Sequence, residues 1–164
     1  MIAIWVVSFW KSIGSPKEFN LIELGAGNAA MMKILIESFK KVPSFFKSCR
    51  LVIYEISPNL KKIQKKELSD SDVNLINDLK KIKKIPSIFV ANEFFDALAI
   101  KQFEKKGNLW FEKFVSLNKK ITSFSEKKIN MKSYEKKINF KISKNQSFIE
   151  YSELGINYLK QISK

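Results

Sequence analysis

The run from Phe19 to Phe39 constrains the fold more than any other stretch of the chain. Phe19-Asn20-Leu21-Ile22-Glu23-Leu24 reads as a buried strand, Gly25-Ala26-Gly27 as a tight loop, and Asn28 as the cap of a helix. Met32, Leu35, Ile36 and Phe39 then recur at the spacing of one helical face. A strand that turns through glycines directly into an amphipathic helix is the opening half of a βαβ unit, and it argues for a parallel sheet.

The same grammar continues downstream. Val42-Pro43 is read as the end of the helix, and Arg50 to Ile56 as a second strand, almost continuously apolar as in a sheet covered on both faces. Ser57-Pro58 sets an N-cap before a proline at the first helical position, opening a lysine-rich helix that reaches Leu68. Val73–Ile76 and Pro86–Asn92 read as third and fourth strands, which predicts an open, wound α/β sheet. Upstream, Ile2, Val6, Phe9 and Ile13 share one face of a helix stopped by Gly14 and Pro16. With Trp5, Val7 and Trp10 on its flanks this helix is apolar nearly all round, which predicts burial on two sides and covering residues further upstream. The segment lacks the flanks of a signal peptide and is shorter than the roughly 20 residues that cross a bilayer.

After residue 99 the pattern changes to a meander. Strands are expected at Ile100–Glu104, Leu109–Ser116 and Ile121–Phe124, with turns at Lys106-Gly107-Asn108 and Asn118-Lys119. Residues 126–147 read as irregular chain or short strands, and Ser152 precedes a closing helix carrying Ile156, Leu159 and Ile162. The expected division is therefore 1–99 as a partial cofactor-binding domain, 100–150 as an inserted β-rich region on the substrate side, and 151–164 as a helix returning to the sheet.

Composition narrows the chemistry. The chain has no histidine and one cysteine, Cys49, which excludes His-based triads, a disulfide framework within the chain and a Cys-rich zinc site. No metal centre is expected, and a single thiol fits a reducing compartment, the cytoplasm or, in a eukaryote, the mitochondrial matrix. Lys+Arg 30 against Asp+Glu 16 gives a net charge of +14, which invites a nucleic-acid reading. Arg50 is the sole arginine, however, and the lysines are spread along the sequence beside Ile, Asn and Phe. Solvated faces shaped by compositional drift account for them better than a phosphate-reading patch does.

Three groups of polar residues lie where strands end. Gly25 and Gly27 let backbone approach a ligand at a helix N-terminus, which favours a negative group. Glu55 closes the second strand, where a carboxylate can take both hydroxyls of a ribose. Glu23 discriminates between ligands: it would repel the pyrophosphate of a dinucleotide but suits the cationic amino and sulfonium groups of S-adenosylmethionine. Pairing of Glu23 with a lysine is the alternative. Asn92-Glu93-Phe94-Phe95-Asp96-Ala97 follows the fourth strand at the carboxyl edge of the sheet, where open α/β folds bind ligands. A helix start capped by Asn92 or Glu93 is the alternative there.

These residues carry a resemblance. Glu23-Leu24-Gly25-Ala26-Gly27, Glu55-Ile56-Ser57-Pro58 and Ala91-Asn92-Glu93-Phe94-Phe95-Asp96-Ala97-Leu98 with Gln102-Phe103 resemble the MidA-like class I S-adenosylmethionine-dependent methyltransferases. Trp110, Glu112 and the stretch from Phe148 to Ser152 fit the same pattern. The family includes the mitochondrial complex I assembly methyltransferase. The resemblance implies a Rossmann-like sheet with an inserted region, incomplete here, so that the chain looks like an internal or truncated piece. It implies S-adenosylmethionine as cofactor and methyl transfer to an arginine of a protein substrate, a respiratory complex I subunit being one candidate. By that likeness Glu23, Gly25 and Gly27 line the methionine end of the cofactor, Glu55 the ribose and Asp78 the adenine. Asn92 would lie near the methyl, with Glu93 and Asp96 holding the acceptor guanidinium. The family usually has proline at Ala26 and Ala99 and a third glycine at Ala29, where alanine is expected to fall inside the helix. A non-catalytic assembly or adaptor protein on the same fold, an RNA methyltransferase or basic RNA-binding domain, and, last, an NAD-dependent enzyme are the alternative functions.

Overall fold

Phe19–Leu24, Cys49–Tyr54, Val73–Ile76 and Ser87–Val90 form strands β1 to β4 of a parallel sheet, in the order β3-β2-β1-β4. That order is part of a doubly wound sheet; helices make the first two crossovers, and a connection with a single 3-10 turn (Leu79–Lys81) makes the third. The computed structural model describes residues 1–118 and 121–163, in two units. One comprises Met1–Ala97 with the segment from Leu159, the other Leu98–Tyr158. Of the turn expected at Asn118-Lys119, Lys119 lies outside the described residues.

All six residues of β1 are buried, as a central strand requires. Phe19 and Leu21 of β1 and Leu51 and Ile53 of β2 share one core with Met32, Leu35, Ile36 and Phe39 of helix α2 (Ala30–Lys40). The predicted face of α2 is therefore the one that packs. Residues before it differ from expectation. Ala29 is not inside the helix but is its N-cap, in the left-handed region at φ 66°, while the Asn28 Oδ1 accepts from the Ala30 N–H at 3.1 Å.

Near the parallel sheet, two helices depart from the sequence reading. Pro43 does not merely terminate α2: it opens a short helix α3 (Pro43–Ser48), because proline at the first turn needs no partner for a missing N–H. Phe45 of α3 is fully buried, its ring 4.8 Å from that of Phe39, 5.4 Å from Trp10 and 6.1 Å from Phe19. Truncating a residue so enclosed removes about 3–5 kcal/mol of stability. The first helix, α1 (Ile2–Ser12), turns Val6 and Trp10 inward with Ala3 and Val7 beside them. Ile2, Phe9 and Ile13, expected on the inner face, are exposed, as are Ile4 and Trp5, so burial on two sides is not found. The Trp10 indole N–H decides the rotation of the helix, since it donates to the Pro16 carbonyl at 3.0 Å while its ring meets Phe45.

The amino ends of the strands are joined by polar groups. Asn20, buried, donates from Nδ2 to the Lys83 carbonyl at 2.8 Å and the Ser87 hydroxyl at 3.0 Å, and its backbone N–H donates to the Pro86 carbonyl. Glu18 pairs with Lys83 and Arg50 at the same level. Helix α4 (Pro58–Glu67) follows β2, and Ser57 caps it as the sequence predicts, its Oγ accepting from the Leu60 N–H.

The second unit is an antiparallel sheet in the order β7-β6-β5-β8, built from β5 (Lys101–Lys106), β6 (Leu109–Asn118), β7 (Ile121–Ile129) and β8 (Phe148–Tyr151). The meander is as expected, with the first turn at Gly107. Where irregular chain or short strands were expected, β7 runs on to Ile129 and helix α5 (Met131–Ile138), which was not expected, follows, capped by Asn130. Tyr134 of α5 packs between Phe103 at 4.6 Å and Tyr151 at 5.6 Å. The last helix, α6 (Glu153–Ile162), buries Gly155 and Tyr158, whereas Ile156 and Leu159 of the expected stripe are exposed. Among the described residues no helix is long and apolar enough to cross a membrane.

Candidate functional site

The parallel register decides which strand-end side chains share a face. Glu23 pairs with Ile53 and Leu24 with Tyr54, and side chains alternate along each strand. Phe19, Leu21 and Glu23 of β1 therefore point the same way as Leu51, Ile53 and Glu55. The strand β2 ends at Tyr54, two residues earlier than predicted, so that Glu55 begins the following loop, with its N–H donating to the Ile76 carbonyl at 2.9 Å. Glu23 and Glu55 are thus on the α2 side of the sheet, two positions apart along the strand direction rather than level with each other.

Glu23 is 3% exposed and its Oε2 is buried with no hydrogen-bond partner. Among the described residues no lysine pairs with it, so the lysine-paired alternative is not found there. Desolvation pushes its carboxyl up to about 7 from an ordinary 4.5. A buried acceptor with spare lone pairs and no cation of its own is suited to a positively charged guest.

The glycine loop starts two residues later. Gly25 is at φ 68°, and its N–H donates to the Tyr54 carbonyl at 3.0 Å. A side chain here would place Cβ 2.7 Å from the Phe94 ring, so both the backbone conformation and the space require glycine. Phe94 in turn meets the Tyr54 ring edge-on at 6.2 Å and Phe95 at 5.3 Å. The segment Asn92 to Asp96 is therefore brought to the glycine loop through Phe94.

Glu55 differs from Glu23 in being satisfied. Its Oε1 accepts from the Ser57 N–H at 2.8 Å and its Oε2 from the Gln64 amide at 3.3 Å. Those bonds fix the carboxylate while leaving lone pairs for a diol. Asp78, beyond β3, caps a single 3-10 turn (Leu79–Lys81) by accepting from the Lys80 N–H at 3.0 Å. Asn92, Glu93 and Asp96 are exposed, in a loop and not at a helix start, with Glu93 in the left-handed region at φ 52°.

A family model described as S-adenosyl-L-methionine-dependent methyltransferase matches residues 1–164. The chain belongs to this family, that of the MidA-like methyltransferases. Among its relatives are the mitochondrial protein arginine methyltransferases NDUFAF7 of rat, 28% identical over 142 residues, and of human, 27% identical over 146. These matches cover 72% and 74% of this chain but 33% of each relative, so the chain spans about a third of the length of the curated relatives it matches. A solved structure from Burkholderia thailandensis, a likely methyl transferase bound to S-adenosyl-homocysteine, superposes with a TM-score of 0.74 at 16% identity. It covers 98% of this chain and 42% of that one, and it establishes the fold.

Gln64 is the site residue that the sequence reading omitted. It is fully buried, bonding Gly27 and Glu55, and the signal for it was a polar residue on the stripe Leu60, Gln64, Leu68 of a helix otherwise rich in lysine.

Proposed function

We propose that this chain carries the cofactor-binding part of a methyltransferase that uses S-adenosylmethionine to methylate an arginine of a protein substrate. The observation that carries the reading is Glu23 Oε2, a buried carboxylate oxygen left without a partner beside a glycine loop. It fits the cationic amino acid end of the cofactor and disfavours a pyrophosphate. The loop backbone offers N–H groups to the cofactor carboxylate, Glu55 the acceptors for the ribose hydroxyls, and Asp78 an acceptor for the adenine. When bound, S-adenosylmethionine supplies an electrophilic methyl on sulfur.

On the acceptor side, Asn92 flanks the methyl, while Glu93 and Asp96 hold the substrate guanidinium and localise a nitrogen lone pair. The rat and human relatives, protein arginine methyltransferases, favour an arginine acceptor, and residues 100–150 are read as the surface that receives the protein substrate, a respiratory complex I subunit being one candidate. The single thiol Cys49, pushed up to about 12 by burial, suits a reducing compartment, the cytoplasm or the mitochondrial matrix.

Calorimetric titration with S-adenosylhomocysteine tests the reading. Micromolar binding is expected, and no heat from the folded chain would refute it. Glu93→Gln and Asp96→Asn should retain that binding while losing transfer to an arginine peptide by any assembly that is active unsubstituted. Loss of cofactor binding in either variant contradicts the acceptor-side role.

A further inference from the structure

Gln64 poses a chemical question that the cofactor reading alone does not answer. It lies on the inward stripe of α4 between Leu60 and Leu68, where an apolar side chain would pack without polar atoms to satisfy. Burying an amide is unfavourable unless its hydrogen bonds are made. The Gln64 Nε2 donates to the Gly27 carbonyl at 2.9 Å and to Glu55 Oε2 at 3.3 Å. Both partners are acceptors only, so the amide cannot be turned over: an oxygen in that position would face a carbonyl and a carboxylate together. Its own Oε1 is buried without a partner, an unfavourable arrangement that pure packing would not maintain. The other oxygen of Glu55 is held by the Ser57 N–H.

We infer that Gln64 is a positioning residue that ties the glycine loop to Glu55, so that loop backbone and ribose acceptor meet the cofactor as one unit. The inference rests on the reading of Glu55 as the ribose acceptor. Without the amide, the carboxylate keeps only the Ser57 bond and can rotate, and Gly27 loses its link to α4. The adenosine end of the ligand then bears the loss.

The test compares S-adenosylhomocysteine with its 2′-deoxyadenosyl analogue by calorimetry, in the unsubstituted chain, Gln64→Leu and Gln64→Met. Both replacements complete the apolar stripe and remove the unpartnered Gln64 Oε1, which offsets the loss of the bonds to Gly27 and Glu55, so melting temperatures should change little. Affinity for S-adenosylhomocysteine should fall about ten-fold or more, the size of one lost hydrogen bond to a charge. The deoxy analogue, already lacking one hydroxyl, should lose less, so that discrimination between the two ligands narrows. A stably folded variant with unchanged affinity for both ligands overturns the inference and leaves the cofactor reading standing. An unsubstituted chain that binds neither ligand overturns both. A second measurement needs no variant: the side-chain amide resonance of Gln64 should shift on titration with S-adenosylhomocysteine, and a resonance that stays fixed while the ligand binds counts against the role.

Discussion

Replacing Glu23 with glutamine approaches the site through its energetics. The folded chain holds the Glu23 proton more tightly than the unfolded chain does, with the carboxyl at about 7 instead of 4.5. Below pH 4.5 both states carry the proton and folding is unpenalised. As the pH rises through 7 the folded state alone must bury a charge, and the stability present at low pH is lost. The displacement corresponds to about 3 kcal/mol at pH 8. Glutamine bears no charge, so Glu23→Gln should match the unsubstituted chain at pH 4 and exceed it by about 3 kcal/mol at pH 8. For a chain of this size that is roughly 6–12 °C in melting temperature, read from thermal melts across the pH range. Ligand binding should move the other way: a cation beside Glu23 favours the ionised form, so binding at pH 7 should release about half a proton. Calorimetry in buffers of different ionisation enthalpy measures that release, and Glu23→Gln should abolish it along with most of the affinity. A stability difference that is flat between pH 4 and 8, or absent at pH 8, would refute the assignment of Glu23 as an uncompensated buried carboxylate.

Gly25→Ala should destabilise the chain by about 1–2 kcal/mol through left-handed backbone alone. It should also displace Phe94, whose ring lies 2.7 Å from the added carbon, so S-adenosylhomocysteine affinity should fall in step; normal affinity would show that Phe94 gives way freely. Tyr134→Phe removes a hydroxyl that is buried without a partner and whose ionisation is pushed up to about 12, chiefly by desolvation. Urea melts should show a gain of about 1 kcal/mol with the ring contacts to Phe103 and Tyr151 retained, and a loss of that size would reveal a partner for the hydroxyl.

The strand–loop–helix units were legible because local and tertiary signals agreed there. Leu21, Met32, Leu35 and Phe39 have the period of the elements they form and are all buried. Ser57-Pro58 was readable for the same reason, since cap and proline act within one turn. The face of α1 was not, because apolar residues surround it and only the Trp10 indole bond and the Phe45 ring choose among them. Pro43 is ambiguous in principle: proline ends one helix and begins another equally well, and the decision comes from burying Phe45. The helix α5 lay in a Lys- and Asn-rich stretch whose pattern is carried by few apolar residues, Met131 and Ile138 among them. At the site, Glu23, Gly25 and Glu55 announced themselves as carboxylates and glycines at strand ends. Gln64 did not, because an amide in a lysine-rich helix looks solvated until its partners, 9 and 37 residues away, are brought to it.

The polar seam at Asn20 and Glu18 distinguishes one rim of the parallel sheet from the other. Side-chain bonds to the chain around Lys83 and Ser87 zip β1 to β4 at the amino ends, far along the strand from Glu23. The opposite rim ends in a glycine loop held by single bonds, at Tyr54 and Gln64. For the cofactor proposed above, entry that loosens this rim alone would leave the strand pairing beneath it intact.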